Sequence, residues 1–204
     1  MSHLSEKIEA QPPTQRSLLF ASLYSRDIDR RLTVLDVGPA TPETVKYFSG
    51  SNCRLVFADL FDDVLGNNGQ APSPEQWQQR FECGLNIPSG VRFDVCLFWD
   101  LLNYLDDRSL RAFCHALQPF VHEGSVGHGL GLQSGARTLP RRLYGIRSDD
   151  SFVLKAAQQT TDWPCHTRPP TLLPESLPMF PLARAVLLSN GRMEYTLRAA
   201  PGGQ

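Results

Sequence analysis

The chain has 204 residues, a net charge of −1 and 41% apolar residues, which suits one soluble domain, residues 1–204, with a sizeable core. With so little net charge, no global field recruits nucleic acid or anionic lipid. No apolar stretch approaches the roughly 20 residues a membrane span needs, so neither DNA nor a membrane is an expected partner.

The cysteines stand at 53, 83, 96, 114 and 165. Their count is odd and none forms a C-x-x-C pair, so they read as reduced thiols of a cytoplasmic protein. Cys165-His166 has no third ligand nearby, and no metal site is expected.

In chain order, residues 1–13 read as a loose tail. Thr14 to Arg30 carries Leu18, Leu19, Phe20, Leu23 and Ile28 at the spacing of an amphipathic helix. Together these form an N-terminal tail and helix over 1–31. Leu32 to Val37 has the β-branched and apolar content of a buried strand. Gly38 then permits a tight turn. Thr41, Pro42 and Glu43 read as N-cap, first helical residue and first-turn acid of a short helix that Gly50 stops.

Arg54 to Ala58 is a second strand, with Asp59 at its carboxyl end. Residues 66–74 are loop chemistry. Pro74 to Phe81 reads as a short helix, and a weak strand follows at 81–85. Phe93 to Trp99 is a strong strand ending at Asp100. Asp107 to Phe120 is a helix with Leu110, Phe113, Leu117 and Val121 on one side, and Val126 to Leu132 is the next strand. Residues 136–180 carry Arg137, Arg141, Arg142 and Arg147, then six prolines between 164 and 181. They read as a substrate-side loop, lid-like or loose. The arginines could hold an anionic substrate or RNA phosphates, although a solvated basic loop is the plainer reading. Finally, Ala183 to Ser189 and Arg192 to Ala199 flank Asn190-Gly191, a strong hairpin signal.

Strands alternating with helices imply a mostly parallel sheet. Ligands of such sheets bind outside the carboxyl strand ends, where Asp36, Asp59 and Asp100 fall. Asp59 follows Asp36 by 23 residues, close to the ~20 at which a carboxylate accepts from ribose hydroxyls. The plainer reading of any one such acid is a cap or a partner of loop amides.

The segments Val34-Leu-Asp36-Val-Gly38-Pro-Ala40, Phe57-Ala-Asp59, Leu85-Asn86-Ile-Pro88 and Phe93-Asp-Val-Cys-Leu-Phe-Trp99-Asp100-Leu-Leu-Asn-Tyr-Leu105 resemble the class I S-adenosylmethionine-dependent methyltransferases. The resemblance implies an α/β, Rossmann-like, mostly parallel seven-stranded sheet. It would have helices on both faces and a C-terminal antiparallel hairpin, with residues 32–135 forming the cofactor-binding half.

It also implies S-adenosylmethionine as cofactor. Asp36, Gly38, Pro39 and Ala40 would meet its methionine part and Asp59 its ribose. Asn86 would meet the adenine, and Trp99 and Asp100 would complete the pocket. Asn103, Tyr104, His128 and Tyr144 would stand on the substrate side, toward a small-molecule or protein methyl acceptor. A base, where one is required, would come from His122, His128 or Tyr144. The family's first loop commonly reads G-x-G, where this chain has Pro39 and Ala40. That departure motivates the alternative of a catalytically inactive module acting as a partner or regulatory subunit, with a protein partner or homodimer. A nicotinamide-dinucleotide enzyme is a third option, disfavoured by the missing G-x-G-x-x-G. The run Gly124 to Gly131 is not that fingerprint and reads as a close-packed strand.

Overall fold

The computed structural model describes residues 12–24, 30–65, 72–132, 135–157, 162–169 and 172–200. Most of the expected tail and residues 66–71 of the expected loop lie outside them. The chain enters as β1 (Thr14–Arg16) and a 3-10 turn (Phe20–Ser22), then runs β2 (Leu32–Asp36), α1 (Pro42–Phe48) and β3 (Cys53–Phe57). A π-helical turn (Phe61–Leu65) leads to α2 (Pro74–Leu85) and β4 (Phe93–Trp99). Next come α3 (Asp107–Leu117) and β5 (Val121–Leu132), followed by β6 (Thr138–Pro140), β7 (Arg142–Ser148), β8 (Ser151–Ala156) and β9 (Asp162–Pro164). The chain closes with α4 (Leu173–Ser176), β10 (Leu182–Leu187) and β11 (Arg192–Arg198).

The main sheet has six strands in the order β10-β11-β5-β4-β2-β3, with β3, β2, β4 and β5 parallel and β11 antiparallel to both neighbours. β2 lies between β3 and β4, and the chain leaves it for β3 on one side and returns to β4 on the other. Such a reversal is where open α/β sheets bind their ligands.

The first helix forms as its sequence dictates: the Thr41 side chain caps it by accepting from Thr44 N–H, with Pro42 in the first turn. α2 opens with a reciprocal capping box between Ser73 and Gln76. α3 is capped by Asp106, which accepts from Ser109 N–H at 2.8 Å, and it buries Leu110, Phe113 and Leu117. Each such apolar side chain contributes roughly 1.5–3 kcal/mol on burial. Pro119 lacks an N–H, so the last turn tightens to a 3-10 turn (Gln118–Phe120) and the helix stops short of the expected 120.

Two layers cover the sheet. On one face α2 and α3 pack through Phe81, Phe98 and Phe113, with Phe180 against Phe98. On the other lie α1, the N-terminal segment and a second sheet of order β1-β8-β7, meeting through Phe20, Tyr47, His128 and Phe152.

Four sequence expectations are corrected. The helix expected over 14–30 is a strand and a 3-10 turn in its described part. β1 pairs with β8, and Leu154 N–H reaches Pro13 O at 2.9 Å; these distant partners override local periodicity. The weak strand at 81–85 is the last turn of α2, because Trp77, Phe81 and Leu85 recur at helical spacing with Phe81 and Leu85 buried, and Asn86 caps the end in the left-handed region. Among the described residues the main sheet therefore has six strands, not seven. The expected loop over 136–180 contains four strands, β6 pairing with β9 and β7 with β8. The closing hairpin is present, but only Gly191 has positive φ, 77°. Leu188 closes the turn through Gly191 N–H at 3.0 Å and Arg192 O at 2.8 Å, a three-residue loop with a left-handed glycine.

The glycine-rich strand is explained by close packing. A Cβ on Gly129 would stand 2.5 Å from the Tyr195 ring, and one on Gly127 would stand 2.7 Å from Phe98. Gly129→Ala should therefore cost about 1–3 kcal/mol, and calorimetry should show the melting temperature falling by several degrees.

Candidate ligand-binding rim

β2 ends in Asp36, whose neighbours across the sheet are Phe57 and Leu97. The carboxylate is 1% exposed. Its Oδ1 accepts from Gly38 N–H at 2.9 Å and from Trp99 Nε1–H at 2.7 Å, while Oδ2 is buried with no hydrogen-bond partner among the described residues. Burial pushes the carboxyl up to about 7, against the pull of those two donors, and the charge of Asp59 adds to the rise.

Trp99 ends β4 with φ of 49°, in the left-handed region. The strained backbone turns the indole over the first loop: a Cβ on Gly38 would stand 3.7 Å from Trp99 Cδ1. The indole ring stacks on Tyr144, with centroids 5.0 Å apart and planes 4° apart. Pro39 is half-buried and Ala40 exposed, on the way to α1.

Asp59, just past β3, accepts from Phe61 N–H at 3.2 Å. Arg141, between β6 and β7, donates from Nη2 to both of its oxygens at 3.3 and 3.2 Å, and the guanidinium lies 5.5 Å over the Phe61 ring. Arg141 is thus not part of a solvated basic loop, whereas Arg137 and Arg147 are exposed.

Asp100 is fully buried. Its Oδ2 accepts from Tyr144 O–H at 2.8 Å and from Tyr104 O–H at 3.5 Å, and lies 3.7 Å from Arg192 Nη2. Arg192 Nη1 donates to the Tyr144 hydroxyl at 2.5 Å. Burial raises the Asp100 carboxyl, opposed by Arg192 and Tyr144. Burial and the Asp100 charge raise the Tyr144 hydroxyl in turn; it keeps its proton and acts here as a donor. Like Asp36, Asp100 has one buried oxygen, Oδ1, without a partner among the described residues.

Contacts thus join Asp36, Gly38, Trp99, Tyr144, Asp100 and Tyr104 into one buried cluster at the carboxyl ends of β2 and β4, with Asp59 just past the end of the neighbouring β3. Asn103 adjoins the cluster, where its Nδ2 donates to Asp100 O at 3.0 Å and Leu130 O at 2.8 Å. His128 is also buried, with Nε2 facing Glu194 Oε1 at 2.9 Å and rings of Phe20, Trp99 and Phe152 around it. Asn86 is exposed at the end of α2, with its N–H on Glu82 O. His122 faces Asp94 at 3.2 Å and Glu123 O at 2.7 Å.

Arg141 and Arg192 were missed as site residues. The first was visible only as one of four clustered arginines. The second is an arginine opening an otherwise strand-like run, a signal that names no partner. A separate cleft of about 840 Å³ lies between α3, α4 and the end of β11, lined by Leu110, Cys114, His115, Met179 and Ala199 among others, and includes none of the rim residues.

No family model and no curated protein matches the sequence. Solved structures do resemble the fold. The DhpI complex with SAH is 16% identical, with a TM-score of 0.46, 84% of this chain covered and 78% of that one. The Burkholderia thailandensis 1,6-didemethyltoxoflavin-N1-methyltransferase with bound 1,6-didemethyltoxoflavin and S-adenosylhomocysteine is 13% identical, with a TM-score of 0.48 and coverages of 89% and 76%. The glycopeptide N-methyltransferase MtfA complexed with S-adenosyl-L-methionine is 10% identical, with a TM-score of 0.49 and coverages of 89% and 91%. The chain is similar to these methyltransferases; likeness at this level transfers no residue role and no ligand.

A titration follows from the buried acid. Its folded pKa lies above the ordinary 3.8, so the fold is favoured while Asp36 is protonated and loses that advantage as pH rises from about 4 to 7. Asp36→Asn keeps an acceptor for Gly38 and Trp99 and cannot ionise. Thermal melts should show the variant gaining on the wild type between pH 5 and 8, by at most about 4 kcal/mol. A constant difference across that range would refute the assignment.

Proposed function

We propose that the chain is an S-adenosylmethionine-dependent methyltransferase of the class I type, acting on a small molecule or a protein. In that reading residues 32–135 form the cofactor half and 136–204 the substrate side of one domain. The observation that carries it is the pair of buried carboxylate oxygens, Asp36 Oδ2 and Asp100 Oδ1, that find no hydrogen-bond partner among the described residues at the switch point of the sheet. A buried acceptor without a donor costs about 1–3 kcal/mol, and such atoms call for a donor supplied from outside the chain. An adenosyl amino acid brings an ammonium and two ribose hydroxyls.

The acids therefore fit the cofactor. Asp36 and Gly38 would face its amino-acid part and Asp59 its ribose. The chemistry supplied by the bound cofactor is a methyl group on a positively charged sulfur, already activated for displacement. The protein then has to align the acceptor and exclude water. A base is needed only where the acceptor holds a proton.

One set of contacts favours a second reading, a non-catalytic module serving as a partner or regulatory subunit. Trp99 donates to Asp36 and lies over Gly38, and Arg141 engages both oxygens of Asp59. The rim is then satisfied largely from within. Titration calorimetry with S-adenosylhomocysteine separates the two. The enzyme reading expects saturable binding that weakens at least tenfold in Asp59→Ala, through loss of a charge-assisted acceptor worth about 1.5–3 kcal/mol. No heat at millimolar ligand would leave the module.

A further inference from the structure

We propose that Arg141 is an intramolecular competitor for the ribose acceptor Asp59, which makes the strap of residues 138–157 an autoinhibitory cover. The proposal rests on the adenosyl reading of the rim and adds a regulation to it.

The strap is tied to the rim through two residues three positions apart, in different ways. At Tyr144 it is tied to buried groups: the hydroxyl donates to Asp100 at 2.8 Å, receives Arg192 at 2.5 Å, and the ring stacks on Trp99. At Arg141 the partner is a carboxylate that remains 25% exposed. One nitrogen of the guanidinium, Nη2, donates to both oxygens of Asp59, and the group covers the Phe61 ring. Asp59 Oδ1 also accepts from Phe61 N–H. Three of the roughly four acceptor sites of the carboxylate are thus taken, which leaves too few for two sugar hydroxyls. A planar cation over an aromatic ring beside that acid thus fills the acceptor that the sugar needs. Arg141 itself is buried, with a side chain 6% exposed, so solvent and ligand meet the pair from the Asp59 side; a hydroxyl arriving there competes for the carboxylate while Tyr144 stays in place.

The test replaces the charge and keeps the stem. Arg141→Met retains an unbranched apolar chain over Phe61 and loses the donor fork. By calorimetry it should bind S-adenosylhomocysteine about five- to tenfold tighter than the wild type, the gain expected from removing a modest ion pair. Unchanged or weaker binding by a variant with a cooperative melt would overturn the competitor while leaving the cofactor reading standing. Absence of binding by both proteins would remove the cofactor reading and the competitor together.

A second measurement needs no variant. Hydrogen exchange on the wild type, with and without S-adenosylhomocysteine, should show amides near residues 138–143 exchanging faster when ligand is present and those near 36–41 more slowly. Strap amides that slow down on binding would mean that Arg141 closes over the ligand rather than competing with it.

Discussion

The architecture depends on how two carboxylates are kept inside the protein. Asp36 and Asp100 end neighbouring parallel strands in a region without solvent, where an isolated charge is very costly. Asp36 meets that cost by taking up a proton near neutral pH and by two donors on one oxygen. Asp100 meets it through Tyr144, Tyr104 and Arg192. These demands fix the conformation of Trp99. Left-handed backbone at a tryptophan costs about 1–3 kcal/mol. Burying an indole of 150–250 Å² returns roughly 4–6 kcal/mol at 25 cal/mol per Å², and its bond to a carboxylate adds to that. Burial wins, so the strain persists.

The strap inherits its path from the same groups. β7 is held at Asp100 by a neutral donor, the Tyr144 hydroxyl at 2.8 Å, and by the stacking of its ring on Trp99. At Arg141 the tie is a charged one, and its carboxylate partner is the more exposed member, 25% against 6%. The open side of that pair lies at the end of β3.

What the sequence disclosed follows from which forces are local. The strands at 32–37 and 93–99, the capped helix at 42 and the closing hairpin were legible, because burial pattern, caps and Asn-Gly are written in adjacent residues. The acids at strand ends were legible because topology alone delivers them to the rim. The N-terminal segment was not: its Leu18-Leu19-Phe20 run has helical spacing, yet Ser17 Oγ and Leu18 N–H are held by Glu194 at 2.5 and 2.7 Å, from the far end of the chain. Neither was the strap legible, since β6 and β9 are three residues each and find each other across more than twenty positions. Asn86 matched a motif that follows a strand, but the residues before it form a helix that runs on through Leu85, and Asn86 caps that helix.

Glu194 shows how the second network supports the first. Side chains alternate along a strand, so Arg192 and Glu194 of β11 share a face, opposite Leu132 and Leu130 of β5. That face carries a cation toward Asp100 and an anion toward His128, both nearly inaccessible. Burial raises the Glu194 carboxyl, but donors from His128, Ser17 and Leu18 outweigh it and leave it lowered, hence charged. The N-terminal segment is thus bound to β11 by a carboxylate with three donors. Phe20 of that segment packs edge-on against His128 and Phe152, and Phe152 packs edge-on against Trp99. The indole therefore cannot leave the rim independently. Room beside Gly38 requires Phe152, and with it β8 and the N-terminal turn, to shift as well, while release of Arg141 from Asp59 moves none of these.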